Sequence, residues 1–260
     1  MAGLPGRRGG WLALRILFGL AFAAGLLGDA SAGTQGRAGI LILGDSNSEG
    51  PFGGTLYDAL RALRDPVSGA PLKVSIFAKC GAGANDWTSR DYARIDCGAW
   101  ACDDGRALSA CRHFMGGSIP PLARLYDELG AERRVTLLVL GLNMIIGNRA
   151  EKLRDADRLM AAIRALGSAC IWVGPPQPGD LFVDPAIYER FVADLKRTVV
   201  RGGCRYIASD DKTDRRDLGR HTRDDHYSRQ DAIRWARKVL EELARPVDRD
   251  DKPLLALFAP

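Results

Sequence analysis

The chain has 260 residues, 46% of them hydrophobic, and its 37 lysines and arginines against 32 aspartates and glutamates give a formal net charge of +5. That length and apolar content suit a single α/β domain with a sizeable core. The charges of opposite sign are interspersed, with no basic stripe interleaved with aromatics, so nothing in the composition supports nucleic-acid binding.

Residues 1–32 read as a secretory signal peptide. Arg7 and Arg8 form a basic start, Trp11 to Leu27 is largely apolar, and Ala30-Ser31-Ala32 is a small-residue cleavage site. Arg15 interrupts the apolar run, which favours a cleaved segment over a membrane-spanning one. A retained anchor is the other reading, and it is the only membrane association expected. Cleavage removes three arginines and one aspartate, leaving a net charge of about +3, a weak bias toward anionic envelope polymers. All six cysteines (Cys80, Cys97, Cys102, Cys111, Cys170 and Cys204) lie beyond that segment, and an even number in an exported chain points to disulfides. Zinc is the competing reading. No CxxC pair or histidine cluster supports it, so no metal and no cofactor are expected.

Gly39 to Gly44 is a continuous apolar run that ends abruptly in Gly44-Asp45-Ser46, as a strand buried on both faces would. A helix follows over Gly54 to Leu63, with Leu56, Ala59, Leu60 and Leu63 on one face. Lys73 to Ala78 is the second strand. Residues 84–117 then break the rhythm. This stretch has no period and holds Trp87, Trp100 and three of the cysteines, so it reads as a long insertion that is either a stapled surface loop or an active-site wall.

Ser118 is expected to cap a helix that starts at Pro120-Pro121, buries Leu122, Leu125 and Leu129, and stops at Gly130. Val135 to Leu140 is the third strand. Asn148 with Glu151 resembles a capping box for a helix carrying Leu153, Ala156, Met160, Ile163 and Leu166. Cys170 to Gly174 is the fourth strand, and Asp184-Pro185 opens a helix with Ile187, Phe191, Leu195 and Val199 inward. Arg205 to Ala208 is a short fifth strand, and Ser228 caps a last helix with Ile233, Ala236, Val239 and Leu243 inward. The domain is expected to span 33–247, with 248–260 as a tail whose Leu254 to Phe258 packs back on it. Five strands alternating with helices predict a parallel sheet covered on both faces.

In such a sheet the carboxyl ends of neighbouring strands converge on one rim, where open α/β folds bind ligands. The first strand delivers Ser46 there, the second Cys80 to Asn85, and the third Gly141-Leu142-Asn143. His226 follows in a polar loop just before the last helix. A serine, a glycine backbone, an asparagine amide and a histidine are the parts acyl transfer needs: the histidine removes the serine proton as the serine attacks. The N–H groups of Ser46 and Gly81 and the Asn143 amide would hold the oxyanion. Gly83 is the other glycine able to supply that N–H, and Gly81 is favoured as the first residue past the strand. Asp45 is expected to brace the turn. Asp86 and Trp87 are read either as pocket lining or as packed structure, and His221 is the other histidine able to act as base.

These four blocks resemble the SGNH/GDSL hydrolase superfamily. Gly44-Asp45-Ser46 matches its first block, Gly141-x-Asn143 its third, and His226-Tyr227-Ser228 before an amphipathic helix its last, while Gly50-Pro51-Phe52-Gly53 resembles the segment after the nucleophile in some envelope-associated members. The likeness spans about 39–244. It implies a flavodoxin-like three-layer α/β/α sandwich with a five-stranded parallel sheet, and serine esterase or carbohydrate O-acyl-esterase chemistry without a metal.

Two departures stand out. Asn47 replaces the usual leucine or histidine after Gly-Asp-Ser. Arg223 stands where the family places an aspartate three residues before the histidine. Asp224 is then the candidate orienting acid, Asp225 the alternative, and a Ser46–His226 dyad the third possibility. Three functions remain open: an exported ester hydrolase acting on a small-molecule or polysaccharide ester, an O-acyltransferase using the same acyl-enzyme, and a non-catalytic polysaccharide-binding protein on a decayed hydrolase fold. The implied strand order also makes the fourth and fifth strands neighbours. Cys170 and Cys204, at equivalent starting positions, are therefore expected to pair, and the other four cysteines to pair among themselves around the insertion.

Overall fold

The computed structural model describes residues 36–89, 95–214, 226–245 and 254–258. The proposed signal peptide, His221, Arg223, Asp224 and Asp225 lie outside them. Five strands run parallel: β1 (Ala38–Gly44), β2 (Lys73–Lys79), β5 (Arg133–Val139), β6 (Ser168–Val173) and β7 (Arg205–Ile207). The sheet order is β4-β3-β2-β1-β5-β6-β7, so the parallel strands follow the flavodoxin-like arrangement, with the crossover at β1.

The sheet has seven strands rather than the expected five. The two additional ones, β3 (Ala99–Cys102) and β4 (Arg112–Phe114), are antiparallel and come from the insertion. Neither is long enough to show a period in the sequence. Their stability comes from pairing on the β2 edge and from the Cys102–Cys111 disulfide that closes the hairpin.

Strand side chains alternate between two cores, as the two-residue period of a strand requires. Ile40, Ile42, Val74, Ile76, Leu137 and Ile171 face α1 (Pro51–Arg61) and α5 (Arg229–Ala244). Leu41, Leu43, Phe77, Leu138 and Trp172 face α2 (Leu122–Leu129), α3 (Arg149–Ala165) and α4 (Pro185–Arg201). The result is a three-layer α/β/α sandwich. Beyond α5, Leu254–Phe258 forms a 3₁₀ turn that buries Leu254 and Phe258, and Arg133 Nη1 donates to the Phe258 carbonyl at 2.5 Å.

Three caps are as expected. Asn148 accepts from the Glu151 N–H, Asp184 from the Ala186 and Ile187 N–H groups, and Ser228 from the Asp231 N–H. Ser118 does not cap α2. Each proline holds the residue before it out of the helical region, which keeps Ile119 and Pro120 extended, and Pro121 is itself the N-cap at ψ 146, so the helix starts at Leu122. Ile187 is exposed, and Tyr188 takes the inward position because its hydroxyl reaches the Pro175 carbonyl at 3.0 Å.

The disulfides are Cys80–Cys97, Cys102–Cys111 and Cys170–Cys204, the last with Cα atoms 5.0 Å apart on the adjacent strand starts of β6 and β7. It closes 34 residues containing α4, which in the chain-entropy picture stabilises the fold by about 4 kcal/mol. Replacing both Cys170 and Cys204 with alanine is expected to lower the urea unfolding free energy by about that amount. A loss below about 1 kcal/mol would mean that packing alone holds these strand ends.

Candidate active site

Register fixes the geometry of the rim. Gly44 at the end of β1 lies level with Ala78 of β2 on one side and with Val139 of β5 on the other. The three segments that leave these strands, beginning with Asp45-Ser46, Cys80-Gly81 and Gly141-Leu142-Asn143, therefore emerge side by side. Asn143 Nδ2 donates to the Ala82 carbonyl at 3.3 Å, tying the segment after β5 to the one after β2.

Ser46 opens a 3₁₀ turn, Ser46–Glu49, which leads into α1. Asp45 caps it: Oδ1 accepts from the Asn47 N–H at 3.0 Å, and the Asp45 N–H donates to the Val139 carbonyl at 3.3 Å. Asp45 is buried and braces the turn, as expected. The tightness of the turn explains Gly44, since a Cβ there would lie 2.2 Å from Ser48 Oγ. Ser46 itself is half-buried, and its Oγ makes no hydrogen bond to a described residue. Catalytic serine–histidine bonds often close only around substrate.

The second segment distinguishes its two glycines. The Gly83 N–H is taken by Asp86 Oδ2 at 2.6 Å, and Asp86 also pairs with Lys79 across 3.4 Å. Among the described residues nothing accepts from the N–H of Gly81 or of Ser46. Gly81 has φ +70, a backbone angle that L side chains rarely adopt, and Cys80–Cys97 fastens the residue before it. Asp86 therefore serves the loop rather than a pocket. Trp87 is likewise structural, buried edge-on against Phe77 with ring centroids 5.7 Å apart.

His226 reaches the same rim from the chain's far end. Tyr227 beside it packs on Trp235 of α5, and its hydroxyl donates to the Gln177 carbonyl at 2.6 Å. Trp235 stacks at 3.7 Å on Phe52 of α1, six residues past Ser46. His226 is exposed and lies close enough to Glu49 for their charges to interact.

Glu49 is the residue that sequence reading passed over. Burial pushes its carboxyl above the ordinary value, opposed by the Cys80 backbone N–H and by the charges of His226 and Lys79. Its only signal in the sequence is a spacing of three from Ser46. A cavity of 440 Å³ opens beside it, lined also by Thr55, Asp58, Trp100, His113 and Arg229. The insertion thus contributes Trp100 and His113 to one wall of this cleft. A larger cavity of 570 Å³ lies between the β2–β4 edge and α2, and none of Ser46, Gly81, Asn143 and His226 lines either cavity.

No family model matches the chain, and no curated protein matches it by sequence. Solved structures do match. Axe2, an acetylxylan esterase from Geobacillus stearothermophilus, is 14% identical with a TM-score of 0.51, covering 82% of this chain and 97% of its own. Est24, a carbohydrate acetylesterase from Sinorhizobium meliloti, is 14% identical with a TM-score of 0.50, covering 80% and 99%. The psychrotrophic esterase EstA from Pseudoalteromonas sp. is also 14% identical with a TM-score of 0.50, covering 80% and 100%. The three-layer α/β/α fold is shared with these esterases. At these identities the likeness is one of fold, and in this chain the β3–β4 hairpin extends the sheet edge beyond the five parallel strands.

Proposed function

We propose that the chain is an exported serine hydrolase that removes an acyl group, acetyl in the first instance, from a carbohydrate or other envelope ester. The observation that supports this reading is the register by which the segments after β1, β2 and β5, carrying Ser46, Gly81 and Asn143, leave the sheet side by side, with Asn143 Nδ2 bonded to the Ala82 carbonyl. The fold shared with Est24, a carbohydrate acetylesterase, and Axe2, an acetylxylan esterase, supports an acetylated carbohydrate as substrate. Three disulfides support an oxidising compartment, and no helix among the described residues is long and apolar enough to cross a membrane.

In the proposed reaction Ser46 Oγ attacks the ester carbonyl carbon while His226 takes the hydroxyl proton. The oxyanion accepts hydrogen bonds from the Ser46 and Gly81 N–H groups and from Asn143 Nδ2, each worth about 3 kcal/mol at the transition state. Collapse breaks the bond to the leaving alcohol, which departs with the proton from His226, and the acyl group remains on Ser46. Water then attacks the acyl-serine with His226 again as base, releasing the carboxylic acid and free serine. Asp224 is the acid assigned to hold the imidazole tautomer, with Asp225 as the alternative.

A fluorophosphonate probe tests the reading directly, because it reacts with activated serines and not with ordinary ones. The purified protein is expected to be labelled at one site, and the modified peptide to contain Ser46. Label on another serine would move the nucleophile away from Ser46, and no label alongside no acetate release from acetylated xylooligosaccharides would favour the non-catalytic binding protein.

A further inference from the structure

Glu49 ends the 3₁₀ turn that Ser46 begins. Three residues make one turn of a 3₁₀ helix, so side chains at i and i+3 eclipse, and the Glu49 carboxylate leaves the backbone on the side that carries the Ser46 hydroxyl. It does not run out into solvent. Oε1 is buried, and no described residue donates a hydrogen bond to it, while Oε2 lies against Gly98 beside the Cys80–Cys97 disulfide. A buried carboxylate oxygen without a donor is costly unless something else in the site uses it.

Several charged groups surround it. Lys79 is already paired with Asp86. Asp58, His113 and Arg229 line the cleft outside it, and the start of α5, where Arg229 shares that cleft with Glu49 and Trp235 stacks on Phe52 of α1, brings His226, three residues before Arg229, to the same side. Among these, Lys79 is held by its own partner, and Arg229 sits at the start of α5, three residues past His226.

We infer that Glu49 is a positioning residue that supplies the counter-charge for the His226 imidazolium from the nucleophile's own turn, next to a chain in which Arg223 occupies the customary aspartate position. The inference rests on the reading of Ser46 and His226 as nucleophile and base. It gives a physical reason for holding a carboxylate half-buried in the turn of Ser46 with one oxygen, Oε1, taking no hydrogen bond from a described residue. As the imidazole takes the serine proton, a positive charge develops on the His226 ring, facing the half-buried Glu49 carboxylate. A fixed negative charge nearby lowers the energy of that state. Asp224, if it bonds the far ring nitrogen, sets the tautomer, whereas Glu49 acts through charge.

The test reads the imidazole itself. In the full chain, the His226 titration is followed by ¹H–¹⁵N NMR in the wild type, in Glu49→Gln and in Glu49→Asp. A carboxylate beside an imidazole favours its charged form, so Glu49→Gln is expected to move the His226 midpoint down by at least about 0.5 pH unit. Glu49→Asp is expected to restore most of it. The acid limb of kcat/KM for 4-nitrophenyl acetate should move the same way, with kcat lowered about 10-fold and KM little changed. An unmoved His226 midpoint in Glu49→Gln overturns the inference, whatever the activity. A shifted midpoint in a protein that Ser46→Ala does not inactivate would keep the coupling and sink the hydrolase reading instead.

Discussion

Ser46→Ala is expected to lower kcat/KM for 4-nitrophenyl acetate by at least about 10³-fold, down to the level that oxyanion donors and binding sustain without a nucleophile. The same substitution should leave the thermal midpoint nearly unchanged. Ser46 is half-buried, its Oγ holds no partner among the described residues, and the turn is braced by Asp45 rather than by the serine. The pair of readouts matters. A loss of activity with intact stability identifies chemistry, whereas parallel losses would mean that the turn had collapsed. Full turnover in the purified variant would end the assignment of Ser46.

His226→Gln should cost about as much as Ser46→Ala, and the double variant no more than either alone. Nucleophile and base act as one unit: without the base the hydroxyl is a poor nucleophile, and without the hydroxyl the base has no proton to take. Additive losses would place His226 outside the reacting set and direct attention to His221. Substituting the loop acids sorts the rest. Asp224→Asn should lower kcat more than Asp225→Asn, and equal mild effects would mean that the pair works as a dyad with Glu49 as its charge.

The parallel sheet was legible because its strands are continuous apolar runs, such as Ile40 to Leu43 and Val135 to Val139, which only burial on two faces tolerates. The site blocks were legible for a related reason: each follows directly on such a run. The hairpin was not. Ala99 to Cys102 and Arg112 to Phe114 have too few residues to show alternation, and what makes them strands is the open edge of β2. Ser118 looked like a cap because its residue type is right, but two prolines between it and Leu122 decide the matter through backbone sterics. Between Gly81 and Gly83 the sequence favoured Gly81 only through its position just past the strand. The difference lies in Asp86, three residues on, which takes one N–H and leaves the other. Glu49 stayed hidden because a carboxylate before Gly-Pro reads as a solvated helix start, and only the fold brings His226 to it from the other end of the chain.

The two ends of the sheet share a property that bears on association between folded copies. β4 and β7, the outermost strands, are each three residues long, whereas β1, β2 and β5 inside them have seven. A long bare edge is a template on which another chain can add a strand and start an aggregate. Without the hairpin, β2 with Val74, Ile76 and Phe77 would be that template. The insertion replaces it with Arg112-His113-Phe114, a border too short and too charged to seed polymerisation, so the same hairpin that walls the cleft also keeps folded copies from joining edge to edge.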